Sequence, residues 1–378
     1  MRKWLVVTVS ATLLFQVLPA HAAVKAATVA HVGDQCLRDG KVAPGRAIDG
    51  SDLVCMKATL GTSKGELLWW YSKLAPIKIF EIIAPIVSRN SDLPEVVASR
   101  SADRIGKAIG TALKNEELVK DYSSKNFSGG SGTWALGTFQ AYKNRLATSF
   151  IGSQTLINGL ITTKSTLKLS DSKAIAQLVQ EYEAISVPTN SKYQTLDQLI
   201  NELKTNPKAV TFIGGAVGGV DHVFMAKIFN EMNLDPKLAN YLPQNSGFDV
   251  VAKTITDKNY VALSTSGDFV SAVNAGKMRA LGIASPVKLA WSKAKTLQQQ
   301  GLNIVYGNWY GIFVPPQYSD AETNNFIHLL DVFHNSHIWL KTLSDNYWSE
   351  GYVGQKDFVA QIEVQTAETK AILQQLGF

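Results

Sequence analysis

Several features are scarce in this sequence, and each scarcity excludes a class of protein. Only 2 of 378 residues are cysteine, so the chain is not a dense disulfide scaffold. Charged residues make up 18%, which argues against a disordered chain or a coiled coil. The formal charge of +6 is small for this length and does not predict binding to nucleic acid or to an anionic membrane. What remains is an ordinary globular composition, whose length predicts two or three domains of about 100–200 residues each.

The first 22 residues have the pattern of a secretory signal peptide. Arg2 and Lys3 form a basic start, and residues 5–18 are an apolar stretch shorter than the ~20 residues that a spanning helix needs. Ala20-His21-Ala22 is a small-x-small cleavage site, so the mature chain is expected to begin at Ala23. An uncleaved anchor is the alternative. The pattern predicts an exported protein of the periplasm or of the extracellular or cell-envelope space.

The two cysteines, Cys36 and Cys55, lie 19 positions apart. In an exported chain this favours one disulfide, which a loop-entropy model values at roughly 3 kcal/mol. Two cysteines alone do not make a closed zinc site, and a nucleophilic cysteine is the remaining alternative. The surrounding short, glycine-rich segments end in Trp69-Trp70-Tyr71, which predicts a small β-hairpin module. Residues 23–75 are therefore expected to be an appendage.

From residue 77 onwards short apolar runs alternate with amphipathic stretches. Strands are predicted over 77–84, 146–151, 183–187, 209–213, 260–263 and 278–284, and Pro85 and Pro188 are expected to stop two of them. Helices fill most intervals, and strand–loop–helix repeats of this kind predict an α/β fold with a mostly parallel sheet.

The loops that follow these strands are rich in Gly, Ser, Thr and Asn, and several open directly into a helix. Ligands of open α/β sheets lie at the carboxyl ends of the strands, and helix N-termini attract anions. The loops therefore predict a site for a small organic anion. The N–H groups of Gly130, Ser131, Gly218 and Gly219 are the expected carboxylate donors, because glycine leaves the backbone open. The candidate ligand-binding residues are Ser88, Arg89, Asn90, Asp92, Ser128, Gly129, Gly130, Ser131, Ser153, Gly214, Gly215, Gly218, Gly219, Asp221, His222, Asn245, Ser246, Ser266 and Asp268.

Other chemistries find little support in the sequence. Residues 214–219 lack the G-x-G-x-x-G order, residues 129–132 lack the P-loop ending, and H-E-x-x-H does not occur. Asp221 beside His222 leaves open acid–base catalysis, but helical spacing places His222 on the apolar stripe of its helix as a packed histidine. His334 and His337 lack an evident third ligand, so neither a metal nor a cofactor is expected.

Five segments, taken together, carry a family resemblance. From about residue 76 to the end, the chain resembles the solute-binding receptors of tripartite tricarboxylate transporters, the Bug family. The similar segments are a capped helix, a strand with its glycine loop and histidine, a Gly-Lys-Met-Arg-Ala-Leu segment, a return strand and a diverged form of the family's second glycine-rich loop. They occupy residues 193–200, 212–222, 276–283, 308–315 and 125–132. The chain departs from the family pattern at 85–92, where Arg89 replaces glycines, and at 244–247.

The resemblance implies a two-lobed, type II-like periplasmic-binding-protein fold of the Venus-flytrap kind. Lobe one would comprise 76–184 plus 312–378 and lobe two 188–306, with hinge crossovers at 183–188 and 307–315. It implies a monomeric receptor, not an enzyme, that delivers a carboxylate to the membrane subunits of a transporter. Arg89 would either contact the anion with both guanidinium nitrogens or point to solvent. The alternatives are a sensor or scavenger on the same fold, or an enzyme that uses Asp221 and His222.

Overall fold

The computed structural model describes residues 34–43, 53–57, 65–71, 77–86, 101–129, 132–142 and 147–378. The predicted signal peptide and the predicted site residues Ser88, Arg89, Asn90, Asp92, Gly130 and Ser131 lie outside the described residues. The strands are β1 (Val42–Ala43), β2 (Leu53–Lys57), β3 (Leu67–Tyr71), β4 (Ile77–Ile86), β5 (Val119–Ser128), β6 (Ala147–Ser153), β7 (Lys173–Pro188), β8 (Thr211–Gly214), β9 (Asn240–Pro243), β10 (Tyr260–Thr265), β11 (Met278–Ile283), β12 (Gly307–Val314) and β13 (Ser349–Val353). The helices are α1 (Ser101–Asn115), α2 (Thr133–Gln140), α3 (Gln154–Thr162), α4 (Leu196–Thr205), α5 (Val220–Glu231), α6 (Gly247–Thr254), α7 (Ser266–Asn274), α8 (Asp320–Phe333), α9 (His337–Asp345) and α10 (Gln355–Gln375).

The N-terminal module is a three-stranded antiparallel sheet in the order β1-β2-β3. A disulfide joins Cys36 to Cys55, which confirms the predicted pairing. Both cysteines are buried with Leu53 and Trp69 in a small apolar cluster. The bridge therefore closes a module whose own core is small, as the sequence indicated.

The remaining strands form one ten-stranded mixed sheet in the order β5-β4-β6-β12-β7-β10-β8-β9. The strands β5, β4 and β6 are parallel to one another, and so are β10, β8 and β9. Strands β11 and β13 each add an antiparallel partner to β7. The predicted α/β fold is confirmed. The sheet is mixed rather than mostly parallel, because β7 and β12 run antiparallel to their neighbours, and it is continuous through β7.

Strand β7 belongs to both parts of this sheet. Residues 173–182 pair with β12, whereas residues 183–188 pair with β10 and β11. Apolar clusters cover both faces of each part, which is the usual environment of an α/β sheet. The last turn of α10 reaches the second part, where Ile372 and Leu373 pack into its core.

Three elements differ from the sequence-based expectation. Strand β4 continues through Pro85 to Ile86, because β6 pairs with it only as far as Ile83 and a missing N–H is tolerated beyond that point. Strand β5 was not predicted, since its many polar residues suit an edge strand that has one neighbour. Strand β7 begins at Lys173, ten residues before the predicted start. Within the described part of the chain, no helix is both long and apolar enough to cross a membrane.

Candidate functional site

Three loops come together at the carboxyl ends of the parallel strands β8, β9 and β10. The N–H of Gln244, after β9, donates to the carbonyl of Gly214 at 2.7 Å. The Tyr241 hydroxyl of β9 donates to the carbonyl of Gly215 at 2.9 Å. Gly247 begins α6 so close to Asp268 of α7 that a Cβ at Gly247 would lie 2.1 Å from an Asp268 carboxylate oxygen. The predicted crevice loops of this part of the sheet are therefore direct neighbours.

The glycine loop 214–219 folds back on itself. The N–H of Gly215 donates to Asp221 Oδ2 at 2.6 Å, and the N–H of Gly218 donates to His222 Nδ1 at 3.0 Å. The N–H of Gly219 donates to the carbonyl of Ala216 at 2.8 Å. Both the Gly218 and the Gly219 N–H therefore have internal acceptors in this structure, and their donation to a carboxylate stays a prediction.

Gly218 is nevertheless required at its position for two reasons. Its φ of +78° lies in the left-handed region of the backbone, which residues other than glycine rarely adopt. A Cβ at Gly218 would also lie 2.6 Å from Thr162 Cγ2 and 3.1 Å from the ring of Phe378. The glycine thus allows the loop to pack closely against α3 and the C-terminal residue.

The predicted serines act mainly as helix caps. Ser153 accepts from the N–H of Leu156 and caps α3, and Ser246 accepts from the N–H of Asp249 and caps α6. Ser266 is buried at the first position of α7, whereas Asn245 is exposed. Ser246 and Ser266 lie at the starts of α6 and α7, after β9 and β10, whereas Ser153 precedes α3 after β6, which runs antiparallel to β10 in the other part of the sheet.

A buried polar network connects the glycine loop to β6 and β12, and it was not predicted from the sequence. Asn158 of α3 donates to the carbonyl of Gly218 at 3.1 Å and accepts from Gln154 at 2.9 Å. Gln154 also accepts from the indole N–H of Trp309 in β12 at 3.1 Å. All three side chains are buried. Ser153 belongs beside this network, because it immediately precedes Gln154. Ser128 is the last residue of β5, and Gly129 follows it.

Four acidic side chains lie near this crevice. Glu181 and Glu183 are buried on one face of β7, Asp221 lies in the first turn of α5, and Asp268 lies in the first turn of α7. Asp268 Oδ2 accepts from the hydroxyls of Ser264 and Thr265, at 2.7 and 3.1 Å. The sequence offered one signal for the two glutamates, which is a pair of charged residues inside the otherwise uncharged run 174–187.

Burial perturbs the titration of these groups. It raises the pKa of Asp221 to about 7, and the charge of Asp268 adds to the effect. Burial raises the pKa of Glu181 to about 7 although Arg104 opposes the change. The pKa of Glu183 is raised well above its ordinary value by burial and by the charges of Asp221, Asp268 and Glu181. The crevice therefore holds several carboxyl groups that are partly protonated near neutral pH.

His222 is packed, as the sequence analysis favoured. It is buried, its ring centroid lies 4.4 Å from that of Tyr241, and burial lowers its pKa to about 4. Its Nδ1 accepts from Gly218, so the neutral ring shapes the glycine loop. Among the residues that the structure describes, no three His, Cys, Asp or Glu side chains are grouped to hold a metal ion.

The fold and this crevice define a class, which is that of periplasmic solute-binding proteins. The family model described as tripartite tricarboxylate transporter family receptor, TctC, matches residues 159–378, more than half of the chain. The chain therefore belongs to the TctC receptor family. Members of this family are substrate-binding receptors rather than enzymes, so Asp221 and His222 are not assigned a catalytic role.

Solved structures resemble the chain in fold at low sequence identity. A TctC solute-binding protein from Polaromonas is 16% identical, covers 79% of this chain and 99% of its own, and gives a TM-score of 0.62. An R. palustris protein solved with adipate is 14% identical, with 80% and 98% coverage and a TM-score of 0.64. MatC from Rhodopseudomonas palustris, solved with malate, is 12% identical, with 79% and 99% coverage and a TM-score of 0.59. A sequence search of curated proteins found no match.

Proposed function

We propose that this protein is an extracytoplasmic receptor that captures a small carboxylate-bearing solute in the crevice and delivers it to the membrane subunits of a tripartite-type transporter. The observation that carries the proposal is the family match over residues 159–378, which includes the glycine loop and the loops after β9 and β10. The bound adipate and malate of two structural relatives give carboxylates as the first solutes to test.

The helix termini at the crevice support an acidic solute. Helices α5, α6 and α7 begin after β8, β9 and β10, and α3, which begins after β6 in the other part of the sheet, contacts the glycine loop through Asn158. Helix N-termini carry partial positive charge and unpaired N–H groups, which favour carboxylates. Gly218 and Gly219 themselves serve the loop, so the first-turn N–H groups of these helices are the proposed donors.

The solute is proposed to bind between two lobes, 76–184 plus 312–378 and 188–306. The division of β7 between two sets of partners supports this boundary, because residues 183–188 pair only with β10 and β11. The proposed crossovers at 183–188 and 307–315 would move when the lobes close. Contacts between α10 and α5, such as Asn230 with Gln375 at 2.9 Å, would be a further link between the lobes.

A sensor or scavenger on the same fold is the second candidate. Adjacent genes for a large and a small membrane subunit would favour a transport receptor over it.

Export is part of the proposal. We expect N-terminal sequencing of the secreted protein to identify Ala23 as its first residue.

A thermal-shift screen tests the binding claim. The panel contains malate, adipate, citrate, amino acids and aromatic acids, with 1,6-hexanediol as the uncharged control for adipate. A solute at 100 times its Kd adds about 2.7 kcal/mol to the folded state, and each kcal/mol raises the Tm by roughly 2–4 °C in a domain of 150–250 residues. A shift with an acid and none with the diol supports the proposal. No shift with any acid would contradict it.

A further inference from the structure

Tyr347 has a backbone conformation that its residue type disfavours. Its φ is +58°, in the left-handed region, where bulky residues are uncommon. The N–H of Tyr347 donates to the carbonyl of Ser344 at 3.2 Å. The N–H of Trp348 donates to the carbonyl of Leu343 at 3.0 Å. These two bonds end α9 in the motif whose left-handed position usually holds glycine or asparagine. The end of α9 by itself therefore does not explain a tyrosine at this position.

The Tyr347 side chain joins two parts of the molecule. The next residue, Trp348, is buried in the apolar cluster of β4 and β12, which belongs to the first part of the sheet. The ring centroid of Tyr347 lies 6.2 Å from that of Trp291, within the range of aromatic pairs. Trp291 packs against the apolar cluster of β8, β10 and α7 in the second part. The tyrosine, which is 41% exposed, thus leaves the core of its own part to contact the other.

The same tyrosine lies against the first turn of α7. A Cβ built at Gly267 would be 3.4 Å from the Cβ of Tyr347 and 3.5 Å from its carbonyl oxygen. Gly267 stands between Ser266 and Asp268, two crevice residues at the start of α7. The helix that carries this wall of the crevice is therefore in direct contact with Tyr347.

The contact combines two unfavourable features. The indole N–H of Trp291 is buried and has no acceptor among the described residues. A buried donor without an acceptor costs free energy that water would return if the two surfaces separated. The left-handed backbone of Tyr347 is the second cost, which a glycine would remove. Both costs indicate a residue retained for its contact with the second part, in a contact that can open.

We propose that Tyr347 is a positioning residue that holds the first turn of α7 against the first part of the molecule and so sets the width of the crevice. This inference rests on the proposed division into two lobes that move relative to each other. The ring pair of Tyr347 and Trp291 resists separation of the lobes on this side. The unpaired indole N–H keeps the contact reversible.

Spin labels on α9 and α7 test the proposal without a solute. Lys341→Cys and Ser271→Cys supply exposed label sites on the two helices. The native cysteines, Cys36 and Cys55, form a disulfide, so only the new thiols react with the label. Tyr347→Asn removes the ring and keeps a residue that tolerates the left-handed backbone. We expect pulsed electron paramagnetic resonance to show a longer mean distance and a wider distribution in this variant than in the labelled protein with Tyr347.

Three further variants locate the effect. Tyr347→Phe keeps the ring and should give the original distribution. Trp291→Ala should widen the distribution as Tyr347→Asn does, and the double variant should widen it no further, because both changes remove one contact. Glu117→Asn is the matched control. Its φ is also +58°, but it ends α1 beside β5, the outermost strand of the first part, so the distribution should not change.

The outcomes separate a positioning role from a purely local one. An unchanged distribution in Tyr347→Asn overturns the proposal and leaves Tyr347 as the end of a helix. Equal widening in Glu117→Asn also overturns it, because relief of the backbone would then be the cause. Widening in Tyr347→Phe would overturn the ring contact. The comparison of Tyr347→Asn with Tyr347→Phe is decisive even without a folded Trp291→Ala protein. Since no solute is present, failure here is independent of the proposed function, which the thermal-shift screen tests.

Discussion

At the scale of single residues, the buried carboxyl groups of the crevice determine how the empty receptor responds to pH. The pKa of Glu181 and that of Asp221 are raised to about 7, and the pKa of Glu183 is raised further by burial and three neighbouring charges. The folded state therefore binds more protons than the unfolded chain around neutral pH. Its free energy of unfolding must fall as these protons leave.

We predict that the ligand-free protein loses stability as the pH rises from about 6.5 to 7.5, where Glu181 and Asp221 lose their protons in the folded state. Burial lowers the pKa of His222 and of His334 to about 4, so both histidines are mostly neutral in this window and their opposite effect is confined to lower pH. Each carboxyl that is protonated only when folded contributes up to about 1.4 kcal/mol per pH unit. Urea unfolding at several pH values measures the slope, and Glu183→Gln should make it shallower. Stability that stays flat or rises over this window would contradict the account.

Gly218 is a second residue whose role follows from geometry. Its left-handed backbone and its contact with Thr162 are separate requirements. Gly276 offers a comparison, because its φ is +68° and no atom of the described residues lies within 4 Å of a Cβ built there. Alanine at either position carries strain of about 1–2 kcal/mol. We predict that Gly218→Ala lowers the free energy of unfolding more than Gly276→Ala, since only the former also collides with α3. Equal losses in denaturant titrations would show that the contact is unimportant.

At the scale of elements, β7 shows what the sequence could and could not reveal. The α/β order, the disulfide and the packed His222 were predictable from apolar runs, cysteine spacing and helical periodicity. The first half of β7 was missed because Gln177, Gln180 and Glu181 interrupt its apolar run. These polar side chains are partly or fully buried by neighbours distant in sequence, such as the Gly351 carbonyl that accepts from Gln177 at 2.7 Å.

The candidate site was predictable only in part, for a similar reason. Gly214, Asp221, Ser246 and Asp268 were identifiable because they stand at strand ends and helix starts. Asn158 was not, since its position depends on a contact with Gly218, a residue far away in the chain. Likewise, the internal acceptors of Gly218 and Gly219 depend on how the loop folds back.

The disulfide module is an element with its own small core, and its loss should have local consequences. We predict that Cys55→Ser removes roughly 3 kcal/mol from the stability of the three-stranded sheet. Solute binding should persist, because the described crevice residues lie in a different sheet. Limited proteolysis and the thermal-shift assay report the two effects on one sample. A variant that retains an intact module, or one that loses solute binding, would contradict this division.

At the scale of the whole molecule, the shared strand β7 connects two halves of one sheet, and the proposed solute would bind beside the point where its partners change. A solute that contacts both halves stabilises a closed arrangement. We predict a smaller radius of gyration in small-angle scattering when the best solute from the thermal-shift panel is added at saturation. A radius of gyration that increases would contradict closure. The control is the same measurement with 1,6-hexanediol, which reports the effect of an uncharged additive on the radius.

The central claim is that this crevice holds one small acidic solute and does no chemistry on it. Titration calorimetry with the acid that gives the largest thermal shift tests this most directly. The account predicts a saturable heat with one solute bound per chain and no continuing heat of reaction after each injection. An absence of saturable heat for every acid, or a heat that continues as the solute is consumed, would contradict it.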